Sequence, residues 1–169
     1  MSAVVLSLVV ALAAPAAPAA PADAALRGYE YVPPATRPSS ATLATWRQIA
    51  ADAQEDPVIR GRALTQLSLQ ADPEDAALAR ALLAATNEPL LRRKAVVALA
   101  RVQGAAALPE LEALYRAAPT DAKLRAACAQ ALVVVGAPAA ALRARLRRTE
   151  TDPEIRGRLA PATPQRRVP

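Results

Sequence analysis

A seven-residue stretch occurs twice in this chain and constrains its fold more than any other feature. Residues 56–62 read DPVIRGR and residues 152–158 read DPEIRGR, so six of the seven letters agree across 96 positions. Ninety-six is three times 32, which predicts two further copies of the same unit between them. Units of this length stack one on the next, and each contacts only its neighbours.

The predicted copies align on an arginine at the fifth position of the stretch. These arginines are 32, 33 and 31 residues apart, and an acid lies four positions before each of them. The pairs are Asp56 with Arg60, Glu88 with Arg92, Asp121 with Arg125, and Asp152 with Arg156. An acid that accepts free amide protons, usually followed here by proline, is typical of a helix start. Each copy therefore predicts a helix that begins beside its acid.

One face of each predicted helix is apolar. The residue before the arginine is Ile or Leu, the position three residues after it holds Ala, Cys or Leu, and the position seven residues after it holds Leu in the first three copies. These positions follow the i, i+4, i+8 spacing of a single helix face. Further leucines between the copies, such as Leu78 and Leu82, mark a second helix in each unit. We predict helices near 41–53, 56–69, 73–85, 88–102, 108–117, 120–134, 138–148 and 152–159, with left-handed caps at Gly104 and Gly136.

The composition also favours an all-α fold, because Ala and Leu are abundant and Phe is absent. The run D/E-P-x-I/L-R-x-x-A-x-x-x-L, followed by a glycine turn and a second amphipathic helix, resembles HEAT repeats, especially the short bilin-lyase-like type. The resemblance spans roughly residues 54–160. It implies an α-solenoid of antiparallel helix pairs, with about three repeats plus capping helices and with the second helices on the concave side. It also implies a protein-binding scaffold or adaptor, with an enzyme accessory of the bilin-lyase type as an alternative.

Outside the repeats the sequence predicts three further segments. Residues 1–22 contain an uncharged apolar run at 3–14 that suits a secretory signal, with an A-x-A cleavage site ending at Ala22. Residues 23–40 are expected to form a proline-rich linker, residues 41–160 the solenoid, and residues 161–169 a basic disordered tail. We therefore expect a periplasmic or secreted protein. No Lys or Arg precedes the apolar run, so a cytoplasmic protein is the alternative.

The residue types present exclude several kinds of chemistry. Histidine is absent, which removes the commonest general base and most zinc sites. The one cysteine, Cys128, occupies the small-residue position held by Ala63 and Ala95 in earlier copies, which indicates packing. The sequence also shows no glycine-rich phosphate loop. We therefore predict that the chain is not an enzyme, binds no cofactor, and has a protein partner whose identity the sequence does not specify.

The C-terminal end carries most of the positive charge. Residues 141–169 hold eight arginines and three acids, a net charge of +5, whereas residues 23–140 have a net charge of +1. The arginines Arg143, Arg145, Arg147 and Arg148 are a candidate patch for an acidic partner or an anionic membrane surface. The alternative is a solvated capping face. No aromatic residues interleave with this basic run, which argues against nucleic acid.

The remaining charged and aromatic candidates have structural interpretations that we favour. The repeat arginines could form an anion site. We favour a ladder of ion pairs, in which each arginine pairs with an acid of its own or the adjacent repeat, because such pairs offset the cost of burying the charges. Trp46 is expected to cover the exposed side of the first repeat, with ligand stacking as the alternative. The acids Glu74 with Asp75, and Glu110 with Glu112, lie near predicted helix starts, where the helix dipole favours them.

Overall fold

The computed structural model describes Leu26 and residues 37–161, and most of these residues are helical, with no strand among them. The α-helices are α1 (Ser40–Ala51), α2 (Pro57–Gln70), α3 (Glu74–Ala85), α4 (Pro89–Gln103), α5 (Leu108–Arg116), α6 (Ala122–Val135), α7 (Ala140–Thr149) and α8 (Pro153–Arg158). Two short 3-10 helices, Gly104–Ala107 and Ala137–Ala139, precede α5 and α7. The prediction of an all-α fold is confirmed, and each α-helix lies where the sequence predicts one.

The first helix of every repeat begins at its predicted acid. The carboxylates of Asp56, Glu88, Asp121 and Asp152 each accept a hydrogen bond from a backbone amide in the first turn of α2, α4, α6 and α8. Proline occupies the first helical position of α2, α4 and α8, where its missing N–H leaves no bond unmade. Local sequence alone thus accounts for these four starts.

The ends of these helices require backbone that glycine adopts most easily. Gly104 and Gly136 follow α4 and α6 with φ values of 55° and 79°. Their ψ values of −128° and −136° differ from the predicted left-handed cap and lie near a region almost restricted to glycine. At the end of α2 the corresponding residue is Ala71, which has the left-handed conformation with φ 53° and ψ 34°. An alanine there is strained, because its Cβ approaches the backbone too closely.

The predicted apolar face forms the core. The positions three residues after the repeat arginines, Ala63, Ala95, Cys128 and Leu159, are at most 1% exposed. The positions seven residues after the arginines of the first three copies, Leu67, Leu99 and Leu132, are fully buried. Among the residues before the arginines, Leu91, Leu124 and Ile155 are buried, and the half-buried Ile59 packs against the same core. The predicted register of the repeats is therefore confirmed.

The first helices α2, α4, α6 and α8 pack in chain order, each on the next, and α1 packs on α2. The second helices α3 and α5 pack mainly on the first helix of the following repeat, α4 and α6 respectively. Among helices that follow one another directly in the chain, the best-packed pairs are α1 with α2, α3 with α4, and α5 with α6. This order of neighbours is compatible with a solenoid. In this order, α1 packs on α2 in the same way as the second helices α3 and α5 pack on the first helices that follow them.

Several details at the N-terminal side differ from the sequence predictions. Helix α1 ends at Ala51, two residues before its predicted end, and Ala53 is exposed, whereas Trp46 is only 4% exposed, as expected. Leu26 lies in the predicted linker, yet it is helical, 1% exposed, and accepts a hydrogen bond from Arg62. The predicted signal segment with its cleavage site at Ala22, the rest of the linker up to residue 36, and residues 162–169 lie outside the described residues.

Candidate functional site

The repeat arginines form the predicted ladder in the middle of the chain. Arg92 in α4 lies 3.4 Å from the carboxylate of Asp121, the acid that caps α6. Arg125 in α6 lies 3.1 Å from Glu150, two residues before the cap of α8. Each arginine therefore joins its own repeat to the next one. For these two positions, structural pairing is the correct interpretation.

The arginines of the first and last copies differ from this prediction. Arg60 is buried, and its Nε donates a 3.1 Å hydrogen bond to the carbonyl of Ala50 near the end of α1. Arg156 is exposed and makes no ion pair within residues 37–161. The reason is the position in the stack: α1 offers a carbonyl to Arg60, and the described chain has no repeat after α8 to offer an acid to Arg156.

The most buried ion pair of the ladder involves Glu150. This carboxylate is 3% exposed and accepts hydrogen bonds from the Tyr115 hydroxyl, the Arg125 guanidinium and the Asp152 amide. Burial raises the pKa of Glu150, but the hydrogen bonds from Tyr115, the Asp152 amide and Arg125 outweigh it, and the net pKa is lowered. Burial and the neighbouring carboxylate raise the pKa of Tyr115. Glu150 therefore stays ionised as a structural link between α5, α6 and α8.

The acids near the second-helix starts have partners that the sequence did not reveal. Asp75 is 1% exposed and lies 2.7 Å from the Nε of Arg47 in α1, and Asp72 lies 2.7 Å from another nitrogen of the same guanidinium. The hydrogen bond to Asp75, with that to Asp72, raises the pKa of Arg47. The helix-dipole interpretation of Asp75 is thus incomplete, because this side chain also ties α1 to α3.

A similar link connects the second helices further along the chain. Arg80 of α3 lies 2.9 Å from Glu110 of α5, and Arg145 of α7 pairs with Glu112 of α5. The hydrogen bond from Arg145 lowers the pKa of Glu112 most strongly. Arg145 is consequently engaged with α5, away from the rest of the predicted C-terminal patch. Nothing in the sequence pattern distinguishes it from the arginines beside it.

A polar groove of about 480 Å³ crosses the first helices of all four copies. We call it the first-helix groove. Its charged and polar lining consists of Thr65, Ser68, Arg93, Lys94, Arg101, Lys123, Gln130, Asp152, Glu154 and Arg158. The resemblance to HEAT repeats implied that second helices line the concave side, whereas this groove is lined by first helices. The sequence did not predict a groove on this face, because a groove between helices depends on the angles at which the helices cross.

Basic side chains predominate in the first-helix groove. Arg158 is paired with Glu154 at 2.7 Å, and Arg101 donates to the hydroxyl of Ser68 at 3.3 Å. In contrast, Arg93, Lys94 and Lys123 have no ion pair among the described residues. Desolvation, followed by repulsion from nearby arginines, lowers the pKa of Lys94. The groove thus concentrates positive potential that a bound anionic group would relieve.

The sequence contains a partial signal for this groove at repeat positions outside the buried stripe. A basic residue follows the repeat arginine by two positions in three copies, and two of these residues, Lys94 and Arg158, line the groove, whereas Arg62 does not. The polar residues Thr65 and Gln130 follow it by five positions in two copies. These offsets belong to the helix face next to the buried stripe. Aligning these positions by register would have placed Lys94 and Arg158 on the same face of the first helices.

Three of the four predicted patch arginines meet at the end of the described chain. Arg143, Arg147 and Arg148 line a cavity of about 730 Å³ together with Arg156. We call it the C-terminal cavity. Its other lining residues are small or apolar: Val133, Gly136, Ala137, Ala140, Ala144, Leu159 and Pro161. Arg145 does not line it, since its guanidinium contacts Glu112. The predicted patch is therefore an arginine rim around an apolar floor.

Cys128 and Trp46 lie in the core. Cys128 is fully buried, and burial raises the pKa of its thiol to about 12, so the thiol is protonated at neutral pH. A protonated buried thiol is a poor nucleophile and a poor metal ligand. Trp46 belongs to the hydrophobic core cluster. Both positions therefore match the packing roles predicted from the sequence.

The described residues contain neither a metal-binding cluster nor a membrane-spanning helix. No group of three or more His, Cys, Asp or Glu side chains in residues 37–161 is arranged to hold a metal ion. Within the same range, every helix is too short or too polar to cross a lipid bilayer. No protein-family model, curated protein or solved structure matches this chain.

Proposed function

We propose that this chain is a non-catalytic protein-binding scaffold of the α-solenoid, HEAT-repeat type, and that its partner lies in the first-helix groove. The observation that carries the proposal is the position of this groove, which receives side chains from four successive repeats. Repeat proteins commonly bind partners along an extended surface to which each repeat contributes a few residues. The resemblance of the repeat motif to HEAT repeats supports the same function.

The charge of the groove favours a partner with an acidic segment. Arg93, Lys94 and Lys123 have no carboxylate partner among the described residues, and Lys94 is half-buried between other cations. Acidic side chains of a partner would restore charge complementarity, which raises the association rate and discriminates between partners. The absence of histidine and the buried, protonated Cys128 support binding over catalysis. An accessory role to a bilin-type enzyme is the less favoured alternative.

Site-specific photo-crosslinking tests this proposal and captures a partner of any identity. A photoreactive residue at position 123 lies in the groove, and one at position 116, which is 63% exposed on α5, lies outside it. In extracts of the source cells we expect a discrete adduct from position 123 and none from position 116. Adding Arg93→Glu should abolish the adduct, and raised salt should weaken it.

Charge-reversal variants test whether the crosslink depends on the groove charge, and measurements of the fold serve as the control. Arg93 is exposed, so Arg93→Glu should leave the helical circular dichroism and the melting temperature nearly unchanged. Arg116→Glu is a matched charge reversal outside the groove and should keep the adduct. If no adduct forms at position 123, or if both reversals reduce it equally, the groove is not the binding surface.

We also propose export, on the basis of the apolar run at residues 3–14 and the A-x-A site that ends at Ala22. N-terminal sequencing of the chain recovered from the periplasm or the medium should give Asp23 as the first residue. Recovery of an uncleaved chain in the cytoplasmic fraction would contradict export and favour the cytoplasmic alternative.

A second candidate function is docking on an anionic partner or membrane through the arginine-rich C-terminal end. The observation that favours it is the convergence of Arg143, Arg147, Arg148 and Arg156 on one cavity. Anionic vesicles containing phosphatidylglycerol provide the test, because a purely electrostatic surface should bind them at low salt and release them at high salt. Lack of sedimentation with such vesicles at low salt would eliminate membrane docking.

A further inference from the structure

The C-terminal cavity combines an apolar floor with a cationic rim. Its floor consists of small and aliphatic residues from the end of α6, the 3-10 helix that follows it, the first turns of α7 and the residues just after α8, including Ala137, Ala140 and Leu159. Val133 in this floor is 47% exposed, one of the few large aliphatic residues in the described chain left so accessible. Its volume of about 730 Å³ falls within the range of small-molecule sites.

The rim of the cavity is cationic and has no counter-charge in its lining. Arg143, Arg147, Arg148 and Arg156 line it, and no carboxylate does. Arg143 donates to the carbonyl of Ala160, while its Nε is buried without a hydrogen-bond partner. Arg156 has no ladder partner, because no following repeat in the described chain supplies an acid. Four guanidinium groups around an apolar surface repel one another unless an anion joins them.

Charge complementarity decides between candidate occupants. A second copy of this chain would bring the same arginine rim onto this one in a two-fold interface, which opposes like charges. The chain's own residues 162–169 include Arg166 and Arg167, which have the same charge sign as the rim. An occupant that matches both the rim and the floor needs a negative head and an apolar chain.

We propose that the C-terminal cavity binds a single-chain anionic amphiphile, namely a long-chain fatty carboxylate. The carboxylate would lie between the guanidinium groups of the rim, which are suited to paired hydrogen bonds with carboxylate oxygens. The alkyl chain would cover Val133, Ala140 and Leu159. This site is separate from the first-helix groove and does not depend on the proposed scaffold function.

Isothermal titration calorimetry of the full chain with fatty carboxylates below their micelle concentrations tests the proposal. Decanoate should bind, and shortening it to hexanoate should weaken binding by roughly tenfold for each two methylene groups removed. Decyltrimethylammonium has the same chain with the opposite charge and should not bind. Equal binding of both ten-carbon ligands, or no dependence on chain length, would overturn the proposal.

Variants of the rim and the floor locate the site. Arg147→Gln combined with Arg156→Gln should weaken decanoate binding at least tenfold. Arg145→Gln also removes a positive charge from α7, but outside the cavity, so it should leave binding unchanged. Ala144→Leu fills part of the floor without changing the charge and should also weaken binding. Unaltered binding in both the double variant and Ala144→Leu would show that decanoate binds elsewhere.

Vesicles separate a fatty-acid site from a membrane-docking surface. If the chain sediments with phosphatidylglycerol vesicles but shows no heat with decanoate, the proposal is wrong and the end of the chain is a membrane surface. If decanoate binds and prior addition of decanoate blocks any vesicle association, the cavity holds the amphiphile itself.

Discussion

The two copies of the seven-residue stretch, residues 56–62 and 152–158, have almost the same sequence but different surroundings. Asp56 and Asp152 cap their helices in the same way. Arg60, however, is buried against α1, whereas Arg156 is exposed and lines the C-terminal cavity. Helix α2 is packed between α1 and α4, and α8 packs mainly on α6. The same motif position therefore has different roles in the two copies, depending on which neighbouring helix covers it.

The glycines that follow these arginines show the same contrast. A Cβ atom added at Gly61 would lie 3.3 Å from the Cγ of Lys94, while a Cβ at Gly157 would meet nothing within 4 Å. Gly61 therefore leaves room for the lysine that contributes to the first-helix groove. Gly157 has no such neighbour. Identical residues in the two copies are thus constrained by packing in one case and unconstrained in the other.

The largest expected effect is at Arg125, an interior counterpart of Arg156. Arg125→Ala leaves the carboxylate of Glu150 buried without its cation, and removing one partner of such a pair costs about 3 kcal/mol. We expect urea denaturation at neutral pH to show a loss of that size in the free energy of unfolding. Arg156→Ala, the matched control, should change it by less than about 0.5 kcal/mol. Equal losses at the two positions would contradict the comparison.

The pH dependence of the wild type and Arg125→Ala sharpens this test. The pKa of Glu150 is lower in the folded chain than its ordinary value. A carboxylate of this kind stabilises the fold above its unfolded pKa, and the contribution disappears as the pH falls through the folded pKa. The stability difference between wild type and Arg125→Ala should therefore narrow as the pH falls below about 4.5. A difference that stays constant on acidification would show that Arg125 acts through packing alone.

The next largest effect concerns the two motif arginines themselves. Arg60→Ala removes a buried side chain and leaves the carbonyl of Ala50 without its donor, so we expect a loss of about 2 kcal/mol. Arg156→Ala should have almost no effect on stability. Thermal unfolding followed by circular dichroism measures both. Similar melting temperatures for the two variants would mean that burial at Arg60 contributes little.

A smaller effect, a gain in stability, is expected at the turn that follows α2. Ala71 holds the left-handed conformation at the end of α2, whereas Gly104 and Gly136 hold the corresponding positions after α4 and α6. Ala71→Gly relieves steric strain but adds freedom to the unfolded chain, and we expect a net gain of about 0.5 kcal/mol. Gly104→Ala should reduce stability, because alanine strains the positive φ. A loss on Ala71→Gly would show that residue 71 is not strained.

The smallest expected effect is the difference in stability between alanine substitutions at the two motif glycines. Gly157→Ala replaces a helical glycine in open space, and we expect a gain of about 0.5 kcal/mol from the higher helix propensity of alanine. Gly61→Ala brings the same gain but displaces Lys94 by a few tenths of an ångström, so its net gain should be smaller. Urea denaturation of both variants gives the difference. A larger gain at Gly61 would show that Lys94 is not held against it.

The sequence by itself determined the local part of this structure. The acids that cap α2, α4, α6 and α8, the prolines after three of them, and the buried positions around Ala63, Ala95 and Cys128 all follow from helix period and end chemistry. These features depend on residues within one or two helical turns. They could therefore be predicted from spacing before any contact between helices was known.

Only the tertiary structure decided which helix face became a groove and which arginines found partners. Arg145 and Arg147 lie two residues apart on α7, yet one pairs with Glu112 and the other lines the C-terminal cavity. Asp75 is buried and pairs with Arg47 of another helix, and no local sequence pattern predicts this contact. These outcomes depend on the angles at which distant helices pack, because a long side chain pairs with whatever charge its neighbour brings within reach.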